Sequence, residues 1–524
     1  MSRALFKATS LVGGMTLISR ITGFARDMVL ARYFGAGMVM DAFFVAFKIP
    51  NFMRRTFGEG AFSLAFVPVI SEYKTTREHE EVRELTDRVA GSLGLVLVGI
   101  TLVGVIAAPV LVWIFAPGFS VHASKYALTV AMVRVTFPYL MFISLTAFAG
   151  GILNTYGKFG VPAFTPVLLN VVMIAAAIWL APHLSNPAMA LAWGVFGAGL
   201  VQLLFQLPFL LRIRLLPRPK LGAGHEAVRR IMRLMLPALF GSSVSQINMV
   251  VDTLIASFLA TGSVSWLYYS DRLMEFPLGV FSIALGTVIL PHMAQHYAAK
   301  SAAGFAATLD WALRLTMVVV VPAAVGLFFM AGPLLVTLFH YGAFNTHDAR
   351  MATASLTAYA FGLLGFTLVK VFAPGFYARQ DTRTPVRIGV IAVLANILLN
   401  FVITVPWAMH GWTAPHAGLA LSTSLAAFIN AWFLYRELRK RGIYAPTPGW
   451  RPLLWRVTGA NLVMGVILWW GVGKLDVWVG RDALHRGLWL AFWMVTAMLA
   501  YFAVLFLAGF RVRHLRMHKT GDAG

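Results

Sequence analysis

The chain predicts an all-α polytopic membrane protein, and three observations carry that prediction. Its 524 residues are 59% hydrophobic and only 12% charged, where a soluble domain carries about 25% charged residues. Uninterrupted apolar runs of about twenty residues recur along the sequence, the length a helix needs to cross a bilayer. The alternating segments of about ten residues that a membrane barrel requires do not occur. Lipid offers the backbone no hydrogen-bond partner, so helices are the economical reading. The chain has no cysteine, which excludes disulfides, thiolate metal sites and Cys nucleophiles.

About fourteen spans follow in order, near 11–32, 38–70, 89–115, 127–152, 160–181, 188–211, 232–259, 266–290, 308–331, 352–377, 386–406, 417–435, 453–473 and 486–508. The connections 72–88, the turn at Lys158, 212–233, 292–300, 379–387 and 436–456 lie on one side, and several are densely basic. The opposite loops, 117–125, 181–187, 261–265 and 406–416, carry almost no Lys or Arg. Positive charge is retained on the cytoplasmic side, so both termini and the basic tail 511–519 are expected there. The net charge of +23 then reports orientation and not a nucleic-acid partner. Arg3 and Lys7 precede an apolar run as in a signal peptide, but Arg20 and Arg26 follow without a small-residue cleavage site. An uncleaved first helix is expected.

An internal repeat links the two halves. Ala31-Arg-Tyr-Phe-Gly-Ala-Gly37 echoes Ala256-Ser-Phe-Leu-Ala-Thr-Gly262, and Phe62-Ser-Leu-Ala65 echoes Phe281-Ser-Ile-Ala284. Gly160-Val-Pro162 matches Arg383-Thr-Pro385, and the span ending Leu211-Arg212 matches the one ending Tyr435-Arg436. The offsets are 225, 219, 223 and 224. Six spans separate equivalent points, and an even number gives both halves the same orientation: a parallel repeat about an axis along the membrane normal. The spans after Pro446 lie outside it.

Charge inside the spans points to function. Arg20, Arg26, Asp27, Asp41, Lys48, Arg54, Arg55 and Glu59 fall in the first two apolar stretches. Each would cost about 2.5–3.5 kcal/mol facing lipid at mid-span, so they line a hydrated cavity or pair within the bundle. Arg20, Gly23 and Asp27 share one face of a straight helix, with Arg26 elsewhere, although a bend at Gly23 can bring both arginines toward the same cavity. Asp41, Lys48, Arg55 and Glu59 are spaced by 7, 7 and 4 residues, one polar stripe, although Pro50 can rotate Arg54 inward instead of Arg55. The bland alternative is an ion-paired stripe that only holds helices together; pairing, however, leaves cations over. The second half adds Asp252, then Asp271, Arg272 and Glu275, where a structural ion pair is again the rival reading. Lys370 sits deep in a span, and Arg134 lies near a span end, where snorkelling is expected. Arginine forks around water suit a phosphate or diphosphate. No metal-diphosphate motif, HExxH, GxSxG or P-loop occurs, so a transporter and not an enzyme is expected.

The run Ser19-Arg-Ile-Thr-Gly-Phe-Ala-Arg-Asp27, then Phe34-Gly-Ala-Gly37, Asp41-Ala-Phe-Phe-Val-Ala-Phe-Lys-Ile-Pro-Asn51, Arg54-Arg55, Glu59-Gly-Ala-Phe62 and Phe66-Val-Pro68 closely resembles the MurJ (MviN) family of lipid II flippases. So does Val369-Lys-Val-Phe-Ala-Pro-Gly-Phe-Tyr-Ala-Arg-Gln-Asp-Thr-Arg-Thr-Pro385. The resemblance implies membership of the multidrug/oligosaccharidyl-lipid/polysaccharide exporter superfamily. It implies two six-helix lobes in a V shape, 1–215 and 225–440, two further helices in 450–510 forming a groove for the lipid tail, and a basic cytoplasmic tail, 511–524. By motif match, Arg20, Arg26, Arg54 and Arg272 bind substrate, while Asp27, Asp41, Glu59, Asp271 and Glu275 form gating ion pairs. A sodium site in some members corresponds to Asp252, Asn396, Asn400 and Thr423, with Asn400 standing where a second carboxylate is expected.

The implied activity is movement of lipid II, the undecaprenyl-diphosphate-linked peptidoglycan precursor, from the cytoplasmic to the periplasmic leaflet of the bacterial inner membrane by alternating access, in support of cell-wall synthesis. No cofactor is implied; coupling would be to membrane potential or a monovalent ion. Partners would be lipid II, membrane lipids and cell-wall synthesis proteins. The rival readings are a related lipid-linked oligosaccharide flippase, a cation/drug antiporter, and a non-transporting scaffold that binds lipid-linked precursors.

Overall fold

The computed structural model of the protein describes residues 3–56, 62–222, 224–244 and 246–511. Among these residues all regular structure is helical, and the chain divides into two compact units, Met1–Ser265 and Trp266–Gly524.

In the first unit the order is α1 (Arg3–Phe34), α2 (Met38–Met53), α3 (Ser63–Thr76), α4 (His79–Ile106), α5 (Ala108–Phe115), α6 (Ala123–Thr136), α7 (Tyr139–Thr155), α8 (Gly160–Ala175), α9 (Met189–Arg212), α10 (Glu226–Val244) and α11 (Ile247–Ser257). The α1–α2 turn uses Gly35 at φ 70°, where a side chain would be strained, with its N–H returning to the Ala31 carbonyl at 2.8 Å. Pro138 separates α6 from α7, so the single span expected over 127–152 is two helices in line. Phe62, Phe66 and Phe148 stack with Ile152 and Leu153 between α3 and α7. Beyond α9 the backbone N–H of Arg218 donates to Asp87 Oδ1 at 2.7 Å and that of Lys220 to the Asp87 carbonyl at 3.0 Å. A methyl group at Gly91 would run into the Lys220 carbonyl, so this close approach needs glycine.

The second unit continues with α12 (Ser263–Ala298), whose first turn belongs to the first unit, then α13 (Ala302–Phe339), α14 (Thr346–Tyr377), α15 (Arg383–Leu399), α16 (Val405–Met409), α17 (His416–Lys440), α18 (Trp450–Val472), α19 (Leu475–Val479) and α20 (Ala483–Leu507). Asn345 and Asp348 form a reciprocal capping box on α14. Helices α18 and α20 pack on α13 and on each other. They are fastened by Tyr501 Oη donating to the Val318 carbonyl at 2.8 Å and by buried Arg486, whose guanidinium donates to the Trp478, Val479 and His340 carbonyls. The element pattern of the first unit recurs here: α8 and α15 are each followed by one π-helical turn, Ala176–Leu180 and Asn400–Thr404.

Among the described residues, ten helical segments are long and apolar enough to cross a membrane. They coincide with ten of the expected spans. The other four expected spans, 11–32, 38–70, 232–259 and 266–290, are not among these ten segments; the first carries Arg20, Arg26 and Asp27, and the second and third include residues outside the described ones. In α1, Arg20, Arg26 and Asp27 lower the mean hydropathy of a helix that has the length of a span.

Candidate functional site

The first cluster is built on α1. Arg26 and Asp27 are adjacent in sequence and both buried, 7% and 0% exposed. The Arg26 Nε and Nη2 donate to Asp27 Oδ1 at 3.0 and 2.7 Å, and Nη1 donates to Asn170 Oδ1 on α8 at 3.2 Å. Asn170 completes the joint by donating from Nδ2 to the Ser19 carbonyl and to Thr22 Oγ1, both at 3.1 Å. The heptad spacing groups Arg20 with Asp27. The structure groups Arg26 with Asp27 instead, because a long guanidinium arm can fold back across the helix to meet the polar residue of α8, and Arg20 stays exposed. Two charges buried together are held by hydrogen bonds from both sides, as such a pair requires.

The second cluster centres on Asp41, in the first turn of α2 and 1% exposed. Its Oδ2 receives Lys125 Nζ from α6 at 2.7 Å and the Gly262 N–H at 2.7 Å; its Oδ1 receives the Ser265 N–H at 2.9 Å and the Ser265 hydroxyl at 2.7 Å. Lys125 is itself 3% exposed and lies 4.0 Å from the Phe119 ring centroid. Nearby, the Gly118 N–H donates to Ser257 Oγ at 3.0 Å, in a contact so close that a methyl at Gly118 would collide with the Ser257 carbonyl. Lys48 Nζ donates to Thr253 Oγ1 of α11 at 2.7 Å. One carboxylate therefore ties the starts of α2 and α6 to the segment 262–265. Lys125, Asn170, Thr253 and Ser265 were not singled out from sequence. For Lys125 a signal existed: it is the basic residue in a loop on the side where Lys and Arg are otherwise scarce.

Among the described residues the stripe expected from Asp41 to Glu59 holds from buried Asp41 to half-buried Lys48 and does not extend to Arg55. Pro50 lacks the N–H that would bond the Ala46 carbonyl, and Thr136 Oγ1 of α6 supplies that bond at 3.1 Å. α2 ends at Met53 and the next three residues form a π turn. Arg54 is half-buried and donates from Nε to Asn51 Oδ1 at 2.8 Å, whereas Arg55 is exposed. Glu59 lies outside the described residues.

In the second unit, Arg272 Nη1 is 3.1 Å from Glu275 Oε2, one turn on along α12, with its guanidinium 5.8 Å from the Tyr268 ring centroid. Asp271 is half-buried on the same helix. On α15 and its π turn, Asn396 and Asn400 are fully buried, and Thr423 Oγ1 of α17 donates to Asn396 Oδ1 at 3.5 Å. These neutral oxygens suit a hard monovalent cation in type; Asp252, the carboxylate read with them, belongs to α11 of the first unit. Lys370 lies on α14 and Arg134 is exposed on α6. Outside the spans, Asp381 accepts from the Thr384 hydroxyl at 2.6 Å, the Thr384 N–H at 3.0 Å and Arg441 at 2.8 Å, which together hold its carboxyl down at about 2.

Long apolar helices together with buried, specifically partnered charge define a polytopic membrane protein with polar joints inside its helix bundle. A family model described as lipid II flippase MurJ matches residues 30–485. The chain is 46% identical over 525 residues to the probable lipid II flippase MurJ of Vibrio cholerae, covering 98% of each chain. It is 43% identical over 518 residues to the lipid II flippase MurJ of Burkholderia cenocepacia, covering 98% of this chain and 99% of that one. The chain belongs to the MurJ family of lipid II flippases. Among solved structures, lipid II flippase MurJ in an inward closed conformation superposes with a TM-score of 0.79 at 26% identity, over 96% of this chain and 99% of that one. An inward-facing multidrug resistance MATE transporter of the MOP superfamily matches with a TM-score of 0.65 at 15% identity over 83% of this chain, a likeness of fold.

Proposed function

We propose that the protein carries the lipid-linked peptidoglycan precursor, lipid II, from the cytoplasmic to the periplasmic leaflet of the bacterial inner membrane by alternating access. The observation that carries this reading is the family match along nearly the whole chain, including the arginine-bearing α1 and α2. Arg20, Arg26, Arg54 and Arg272 hold the diphosphate, whose charge and paired oxygens fit guanidinium forks. Asp27, Asp41, Glu59, Asp271 and Glu275 exchange partners as access changes. The Asp41–Lys125 joint is the periplasmic closure of this scheme, since the loops it ties, 117–125 and 261–265, are those poor in basic residues.

The repeat lobes 1–215 and 225–440 move as bodies in this reading, the 450–510 helices hold the polyprenyl tail, and both termini and the 511–524 tail are cytoplasmic. Membrane potential supplies the drive, about 2.3 kcal/mol per charge across 100 mV. Monovalent-ion coupling at Asp252, Asn396, Asn400 and Thr423 and direct contact with cell-wall synthesis proteins are its finer parts. The buried amide and hydroxyl oxygens of α15 and α17 support the first of these.

The test is depletion of the protein in cells followed by a leaflet-specific assay of lipid II, with rescue by variants. Wild type restores periplasmic access and Arg26→Ala does not. Arg26→Lys and Arg272→Lys, which keep the charge and lose the fork, also fail. Full rescue by both lysine variants sinks the diphosphate clamp, and an unchanged lipid II distribution on depletion moves the substrate to another lipid-linked glycan or supports the scaffold reading.

A further inference from the structure

The first unit contains an apolar cleft that the transport reading does not use. It lies between α4 and α10, has a volume of about 330 Å³, and is walled by Val89, Leu93 and Val96 on one side and Val228 and Met232 on the other. That volume is at the lower end of the range for ligand pockets, about 300–1,000 Å³. Val89 and Val228 are buried at its base, while Val96 and Met232 are 47% and 49% exposed at its mouth, so the cleft opens outward from the bundle. From Val89 to Val96 the helical rise gives about 10 Å of continuous apolar wall.

Its polar end is cationic. Arg229 lines the cleft, and Arg233, one turn further along α10, is exposed beside it. The neighbouring basic groups are committed: Arg88 Nη2 to Glu84 at 2.6 Å, Arg230 to Glu72 at 2.9 Å, and Lys220 toward Asp87 at 3.6 Å. No carboxylate among the described residues is paired with Arg229 or Arg233. The Ser92 hydroxyl in the wall already accepts the Gly222 N–H at 3.2 Å, so the interior presents little polarity to a guest. An apolar slot inside a membrane span, ending at two guanidinium groups on the basic side, matches an acyl chain attached to an anionic phosphate.

We propose that this cleft binds an anionic bilayer phospholipid, with one acyl chain along Leu93–Val96 and its phosphate on Arg229 and Arg233. The lipid is a resident of the protein and not its cargo, and the proposal stands whether or not the transport reading does. The test is native mass spectrometry of the full-length protein in detergent, titrated with phosphatidylglycerol or with phosphatidylcholine of the same chains. Wild type retains phosphatidylglycerol in preference. Arg229→Gln, an exposed change that leaves the fold intact, weakens that retention about fivefold, the effect of one basic contact, and leaves phosphatidylcholine unchanged. Val96→Trp fills the mouth and lowers retention of both lipids. Equal retention of the two lipids by wild type, or retention by both variants equal to that of wild type, overturns the proposal. So does displacement of phosphatidylglycerol from the cleft by an isoprenyl diphosphate, which would make the occupant the substrate's tail.

Discussion

The two repeats solve the same two fastening problems with different chemistry. At the junction of α2 with α6, Asp41 meets Lys125 as a fully buried ion pair at 2.7 Å; at the corresponding junction of α12 with α14, Trp266 Nε1 donates to Asp348 Oδ1 at 2.9 Å. At the other end, Asp87 of α4 and Asp310 of α13 occupy equivalent places, 223 residues apart, and each accepts a backbone N–H from the chain that follows the sixth helix of its repeat. Asp87 has the Arg218 N–H and a partly exposed Lys220. Asp310 gathers Arg314 at 2.7 Å, Tyr444 at 2.7 Å, Thr447 Oγ1 at 2.5 Å and Trp450 Nε1 at 2.8 Å. The difference follows from what comes next. After Asp87's clasp the chain runs on into α10, whereas Asp310 anchors the start of the added helices α18–α20. The charged junction in the first repeat also accepts hydrogen bonds from Gly262 and Ser265, whereas the second extends by packing, with the Trp266 ring centroid 4.9 Å from that of His416 on α17.

That contrast can be broken by mutation. Lys125→Met leaves Asp41 buried without its counter-charge and is expected to cost about 3–5 kcal/mol; Trp266→Phe removes one donor from the Asp348 carboxylate and should cost about 1.5–3 kcal/mol. Thermal unfolding in detergent ranks the two, and equal losses would show that the ion pair carries no special weight. Asp310→Ala strands several donors at once, about 3 kcal/mol, against about 1–2 kcal/mol for Asp87→Ala. Hydrogen exchange should show the first loosening α18 and the second loosening 216–222, and the reverse order would overturn the anchoring role given to Asp310.

The smallest effect concerns pH at the α14–α15 turn. Because Asp381 is held at about 2, below the ordinary 3.8, by Thr384 first and Arg441 after it, its contribution is present above the ordinary value. It is lost as pH falls from about 4 through about 2. Amide protection at the start of α15 should drop over that window in wild type and show no such drop in Asp381→Asn.

Much of this was legible beforehand because it depends on local composition. Apolar runs located ten spans directly, and intramembrane charge set the first two stretches apart. The breakdown came where two distant segments meet. The heptad rule put Arg20 with Asp27, but Asn170, 144 positions from Arg26, drew Arg26 there instead. The spacing of Asp41, Lys48, Arg55 and Glu59 implied one stripe, but Pro50 leaves the Ala46 carbonyl open to Thr136 and the helix stops at Met53.

By itself the sequence determined the membrane class, the helical architecture, the repeat and the presence of surplus positive charge inside the first spans, all consequences of which residues tolerate hydrocarbon. The tertiary structure alone decided which charge meets which partner: Arg26 with Asp27 and Asn170, Asp41 with Lys125 and Ser265, Asp310 with Tyr444 and Trp450. A buried charge is stable only when opposite charge and hydrogen-bond donors arrive from other helices, and which helices arrive is set by packing over the whole unit, not by spacing within one segment.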